Sequence, residues 1–141
     1  MDLSPHRAYS LLTSVYLTSL GLFASRSLSR RRLGGRTPWN DLLLLGVATH
    51  QVARTLTTDR VTEAIRSPVT EGEGQHTPTG TGLRRALGEL LTCRYCVAPW
   101  IALGFTAAFV RFPAPTRIAC EVLSVASISD TLNRGYARLQ G

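Results

Sequence analysis

Four apolar stretches, Ala8 to Ser25, Leu42 to Ala53, Val97 to Val110 and Ile118 to Asn133, alternate along the chain with polar or arginine-bearing segments. Each reads as a helix. A bilayer core takes about 20 helical residues, so several of these runs reach across it only with their polar ends included, where terminal arginines can snorkel. Trp39, ahead of the second run, and Trp100, within the third, suit a membrane–water interface. The expected fold is all-α: a small helical membrane protein with about four membrane-embedded or membrane-associated helices, set against the alternative of a soluble four-helix bundle. With 141 residues and no repeat of 20 to 50 residues, the chain reads as one domain.

Charge sharpens this picture. The net charge of +7 comes from sixteen basic residues, all of them arginine. Five of these, Arg26, Arg30, Arg31, Arg32 and Arg36, lie between the first and second runs, and Arg111 and Arg117 lie between the third and fourth. Alternate connections of a four-span protein share a side, so the positive-inside rule puts both in the cytoplasm and both termini outside. The same cluster follows the first run at once and resists translocation, and Leu22-Phe23-Ala24 is a poor cleavage site. An uncleaved anchor near residues 8–25 is therefore favoured over a secretory leader. Orientation and lipid headgroups account for Arg30-Arg31-Arg32 without nucleic acid. The expected location is the bacterial cytoplasmic membrane, with the lipid bilayer as solvent.

The middle connection, Thr55 to Arg85, falls outside in this topology. Its charges nearly balance, with Arg60, Arg66, Arg84 and Arg85 against Asp59, Glu63, Glu71 and Glu73. Asp59 to Arg66 can continue a helix until Pro68 stops it. Glu71 to Gly82, rich in glycine and threonine, reads as part of a flexible polar loop near residues 68–82, either a linker or a lid.

The most specific chemical signal is Cys93-Arg94-Tyr95-Cys96, just before the third run. Residues three apart share a helical face, which would aim both sulfurs one way with Glu89 a turn earlier. A helix N-terminus and Arg94 stabilise thiolate, so a nucleophile, a redox pair, a metal ligand, an acid/base group and inert packing cysteines all remain open. A structural zinc site wants four ligands, and only distant Cys120 and His50 remain to complete one, so no metal and no other cofactor is expected. His50 and Arg54 share a face of the second helix, and Asp130 stands four residues before Arg134 in the fourth. Ionisable groups inside a span are costly and usually face a protein interior or a wet cavity. The candidate catalytic residues are thus Cys93, Cys96, His50 and Asp130, with Arg54, Asp59, Arg60 and Glu89 in support.

Thr57-Thr58-Asp59-Arg60-Val61-Thr62, then Arg66-Ser67-Pro68, then Gly88-Glu89-Leu90-Leu91-Thr92-Cys93 with Cys96 and Trp100 resemble the bacterial membrane family known as domain of unknown function 1360. The likeness runs from about Leu42 to Tyr136, and Ser129-Asp130 fits the family's last helix. It implies a small membrane protein with a Cys-x-x-Cys site. Relatives often carry proline after the first cysteine, where this chain has Arg94. More loosely, the chain is similar in kind to the small membrane subunit of linaridin-type peptide epimerases, which implies a larger membrane protein partner and a peptide or protein substrate. Epimerisation needs two placed acid/base groups, one to remove and one to return the α-proton. Three functions follow as expectations: a peptide epimerase subunit first, then membrane thiol–disulfide exchange through Cys-x-x-Cys, then non-enzymatic membrane assembly. No nucleotide loop, nucleophile elbow or metalloprotease motif is present in the sequence.

The topology predicts opposite accessibility for single cysteines introduced into 26–36 and 71–82 of a variant lacking the native cysteines. Labelling of both from one side of the membrane would defeat the four-span arrangement.

Overall fold

The computed structural model describes residues 5–31, 37–59, 62, 64, 67–71, 77–78 and 80–140. In chain order they form α1 (Pro5–Arg31), α2 (Trp39–Thr58), two short strands β1 (Thr70–Glu71) and β2 (Thr77–Pro78), then α3 (Gly82–Thr92), α4 (Arg94–Arg111) and α5 (Pro113–Gln140). The fold is all-α apart from this two-residue antiparallel ladder, which pairs Thr70 with Pro78 and Glu71 with Thr77. Four of the helices are those expected from the apolar runs, each extended at its ends.

The additional helix is α3. Leu83, Ala86, Leu87, Leu90 and Leu91 recur at helical spacing, while Arg84, Arg85 and Glu89 are carried between them. The middle connection is thus shorter than expected: a ladder closes it at residues 70–78, and helix resumes at Gly82. Gly80 and Gly82 take positive φ, +81° and +60°, which glycine adopts without a Cβ penalty. Arg60 and residues 72–76 of the expected loop lie outside the described residues, as do Arg32 and Arg36.

Local chemistry sets the ends. Pro38 precedes α2 and its carbonyl accepts the N–H groups of Asp41 and Leu42, at 3.1 and 3.3 Å. At the other end Asp59 is extended and caps α2, while the hydroxyls of Thr57 and Thr58 bond back to carbonyls one turn earlier. A single residue, Phe112, separates α4 from α5, which opens with Pro113, a residue suited to a first helical position. Cys93 alone separates α3 from α4, and the two helices bend there by 85°.

Helices α2 and α5 run parallel. Asp41 pairs with Arg117 at 3.3 Å, and Arg54 pairs with Asp130, the same sequence offset at both places. Between the two pairs lie Leu45, Ala48 and Cys120, all buried, with Leu44, Phe105, Phe109 and Leu123 packed against them. Ala48 and Cys120 are small, which lets the helix backbones approach closely there.

Burial is inverted relative to a water-soluble bundle. Alanines, a cysteine, serines and threonines dominate the buried positions, with Asp41 among them, while many of the large apolar side chains face outward. On α5 the exposed Ile118, Val122, Val125, Ile128, Leu132, Tyr136 and Leu139 follow steps of three or four residues and form one stripe, opposite the face that carries Cys120 and Asp130. By length and composition, one described helix, α1 over His6–Ser27, is apolar enough to cross a membrane, and α3 with α4 pass together as a bent pair. The 22 residues of the α1 segment rise about 33 Å at ~1.5 Å each, which matches a hydrocarbon core of ~30 Å.

The ladder rests directly on α3. A Cβ on Gly88 would lie 2.7 Å from the Val69 carbonyl oxygen and 3.0 Å from Pro78 Cβ. Gly88→Ala is therefore expected to lift the ladder from α3, cost about 1–3 kcal/mol as overpacking does, and raise proteolysis within 67–80. Gly135→Ala meets no atom within 4 Å. It should instead stabilise α5 by about 0.5–1 kcal/mol, and equal proteolysis of the two variants would contradict this account.

Candidate redox site

Cys93 is both the last cap of α3 and the first cap of α4. It sits in extended conformation, so the Cys-x-x-Cys segment is not one continuous helix as the shared-face reading assumed. The corner nevertheless brings the sulfurs together, because Cys96 lies in the first turn of α4 and folds back over its N-terminus. Cys93 and Cys96 are joined in a disulfide, with Cα atoms 5.2 Å apart. The Cys93 sulfur also accepts the backbone N–H of Cys96 at 3.3 Å. An α-helix N-terminus has unpaired N–H groups and a partial positive charge, so negative charge on Cys93 is favoured there.

The disulfide forms part of the wall of a cavity of about 500 Å³. Each remaining wall is one stripe of one helix. From α1 come Tyr9, Leu12, Thr13 and Tyr16; from α3 come Ala86, Glu89 and Leu90; from α4 come Pro99 and Trp100 beyond Cys96. Tyr16 and Trp100 meet edge to face, with ring centroids 5.2 Å apart and planes at 62°. Pro99 has no N–H for the carbonyl of Tyr95, one turn earlier, so α4 lacks one of its own hydrogen bonds beside the cavity.

Polar groups gather at one edge. The Tyr9 hydroxyl donates to Glu89, which Arg85 also reaches, at 3.1 Å. Glu89 stands on α3, across the corner from the apolar helix α4. The hydrogen bond from Tyr9, and after it that from Arg85, hold its carboxyl below the usual carboxylate range.

A second polar group lies between α2 and α5. Asp130 is bound by Arg54 of α2 and also by Arg134, one turn on, so it makes one pair between helices and one within its own. Neither Asp130 nor Arg54 lines the cavity. His50 is exposed on α2 and does not line it either. The expected grouping thus separates into two: Cys93, Cys96 and Glu89 share one cavity, while Arg54 and Asp130 bridge helices elsewhere. Asp59 ends α2, its carbonyl accepting from the backbone and hydroxyl of Thr62 at 3.3 and 2.9 Å. Among the described residues no group of three or more His, Cys, Asp or Glu is arranged to hold a metal.

A family model described as a protein of unknown function, DUF1360, matches residues 44–136. The chain belongs to that family. No curated protein and no solved structure matches it. The DUF1360 span contains the disulfide, Glu89, Trp100 and the Arg54–Asp130 pair, whereas Tyr9, Leu12, Thr13 and Tyr16 of the α1 wall lie outside it.

The α1 wall was missed by sequence reasoning, although a signal existed. Residues 9, 12, 13 and 16 are spaced i, i+3, i+4 and i+7, so they occupy one stripe, and two of them are tyrosines.

The Tyr9–Glu89 link predicts a pH dependence. A carboxylate whose folded pKa is depressed contributes stability that is present above its unfolded value and lost as pH falls through the folded value. Tyr9→Phe should therefore loosen α1 from α3 at neutral pH and make no difference once the medium is acidic enough to protonate Glu89. Hydrogen exchange of α3 amides against pH, compared with the parent chain, reads this directly; an equal loss at all pH values would contradict it.

Proposed function

We propose that this DUF1360 chain is a multispan membrane protein that exchanges disulfides with the thiols of a partner protein or peptide. The observation that carries the reading is the Cys93–Cys96 disulfide folded over the N-terminus of α4, with Cys96 exposed and Cys93 partly covered. A partner thiolate attacks the exposed Cys96 sulfur, and Cys93 leaves as a thiolate that the Cys96 N–H already faces. Exchange is faster when the leaving thiol has a low pKa. A second partner thiol then attacks its own sulfur in the mixed disulfide, releasing Cys96. The partner ends with a disulfide, and Cys93 and Cys96 end as a dithiol.

Membrane placement is supported by the inverted burial and by the apolar segment of α1. In the proposed arrangement α1, α2, α4 and α5 cross the bilayer, and α3, bent 85° from α4, lies along its outer surface with the cysteines at the corner. Helix α5 falls short of a spanning composition by itself because of its charges. Asp130 is held against Arg54 of α2, while the Ile118 to Leu139 stripe is left to lipid. Pairing of this kind is how ionisable groups are usually accommodated inside a bilayer.

Epimerisation finds less support. It requires two acid/base groups across one α-carbon, and His50 and Asp130, which would supply them, stand outside the cavity that the cysteines line.

Single substitutions separate these readings. Cys93→Ser leaves the exposed Cys96 without its intramolecular partner, and its thiolate, attacking the disulfide of an already oxidised membrane or exported partner, is expected to accumulate a mixed disulfide, visible as a band shift abolished by reductant. Cys96→Ser should accumulate much less, since Cys93 is the covered sulfur. Solvent deuterium appearing at a peptide α-carbon, with full turnover in a Cys93→Ser/Cys96→Ser variant, would overturn thiol exchange in favour of proton-transfer chemistry.

A further inference from the structure

Each exchange with a partner reduces Cys93 and Cys96, so the cycle requires an oxidant, and the cavity on which the disulfide opens has the chemistry to receive one. We infer that this cavity binds a lipid-soluble quinone, which takes the two electrons of the reduced pair. The inference rests on the disulfide-exchange reading and names the second substrate of the same site.

Size and lining both favour a flat apolar ring. About 500 Å³ falls within the range of small-molecule sites, roughly 300–1,000 Å³. The aliphatic wall is Leu12, Leu90 and Pro99, and the aromatic wall is Tyr16 and Trp100. An extended peptide is a poorer occupant. Such segments usually bind by adding backbone hydrogen bonds to a sheet edge, and this cavity is walled by α1, α3 and α4, whose amides are largely committed within their helices. A quinone asks for few donors, one or two at its carbonyl oxygens. Thr13 and Tyr16 hydroxyls and the Trp100 indole N–H are side-chain donors of that kind on the wall.

The position of the sulfurs completes the argument. Cys93 and Cys96 both line the cavity, so a ring held there touches the reduced pair without any rearrangement of the fold. The Cys93 thiolate adds to a quinone ring carbon, forming a carbon–sulfur bond, and the ring oxygen takes a proton. The Cys96 sulfur then attacks Cys93 and gives up its proton. The sulfur–sulfur bond forms as the carbon–sulfur bond breaks, and its electron pair stays on the ring. The ring leaves with a proton on each oxygen, as a hydroquinone, and the pair is a disulfide again. Two electrons and two protons have moved from dithiol to quinone.

The α1 wall gives the cavity a side toward lipid. Tyr9, Leu12, Thr13 and Tyr16 belong to the helix whose composition suits the bilayer, so a carrier dissolved in the membrane reaches the sulfurs alongside α1 without crossing water.

The test uses the full chain in lipid nanodiscs, reduced and freed of reductant without air, and a short-chain ubiquinone analogue as the probe. One quinone should be converted to hydroquinone for each protein, read by its ultraviolet absorbance, while two thiols per protein become unreactive to alkylation. Trp100→Leu removes an aromatic wall and should raise the quinone concentration for half-maximal rate about tenfold, with oxidation of a dithiol peptide by the preoxidised protein unchanged. Leu12→Trp, which fills the cavity from α1, should impair quinone reduction and spare peptide oxidation in the same way. If the preoxidised protein oxidises the peptide but the reduced protein leaves the quinone untouched, the quinone inference fails and disulfide exchange stands. Failure of both reactions removes both readings. Equal quinone reduction by the Cys93→Ser/Cys96→Ser variant would also overturn the inference.

Discussion

Two oppositely directed ion pairs fix how α2 and α5 meet. Asp41 of α2 reaches Arg117 of α5, and thirteen residues further along each helix Arg54 reaches Asp130, so acid and base exchange helices between one pair and the next. At ~1.5 Å per residue the pairs are about 20 Å apart. A slide of one helix past the other breaks both, and reversing one helix would set like charges together. Asp41 is nearly buried, and its carboxylate also stands in the first turn of α2, where the helix dipole favours a negative charge. Removing Arg117 would leave the buried Asp41 carboxylate without its cation, whereas Asp130 keeps Arg134 if Arg54 is removed. Between the pairs Leu45 packs with Ala48 and Cys120, and Leu44 and Leu123 lie against them, so the charges and this apolar contact set the register together.

With α2 and α5 locked, the remaining architecture is set by the corner at Cys93. One extended residue between α3 and α4 turns the chain by 85°, and the disulfide holds the first turn of α4 to that corner. The 85° bend lets α3 lie across the bundle end while α4 descends beside α1, and the angle between them leaves room for a cavity that α1 closes. Three stripes from three helices meet there. The scaffold of α2 and α5 contributes none of the lining residues, so the charges that hold the bundle and the sulfurs that face the cavity occupy different parts of the molecule.

Much of this was legible in the sequence. Four helices followed from the apolar runs, and Glu89, Cys93 and Cys96 were expected on one face of one helix, whereas they stand on either side of a corner at Cys93. The helix α3 was not read, because Arg84 and Arg85 invited a surface-loop assignment and hid the apolar spacing of Leu83, Ala86, Leu87 and Leu90. The pairing of Asp130 with Arg54 was also out of reach: local spacing reveals Arg134, four residues on, but a partner 76 residues away depends on the parallel packing of two helices. For the same reason His50 looked like a site residue. Its neighbour Arg54 does turn inward, yet periodicity alone cannot tell which edge of a polar stripe faces a partner, and His50 lies on the exposed edge.

The corner also explains the departure at position 94. Residue 94 is the first residue of α4, where the family resemblance implies proline and this chain carries arginine. Proline is well tolerated at that position because the N–H it lacks has no intrahelical partner anyway. Arginine can take the same helical backbone, so the substitution leaves the geometry of the disulfide available. What changes is charge. A guanidinium at a helix N-terminus is disfavoured by the dipole, but the same positive charge next to Cys93 adds to the stabilisation of its thiolate by the helix N-terminus. Backbone position thus governs whether the corner can form, and residue 94 sets the charge beside Cys93; the two effects are separable because the first acts through φ and the missing N–H, and the second only through the field at the sulfur.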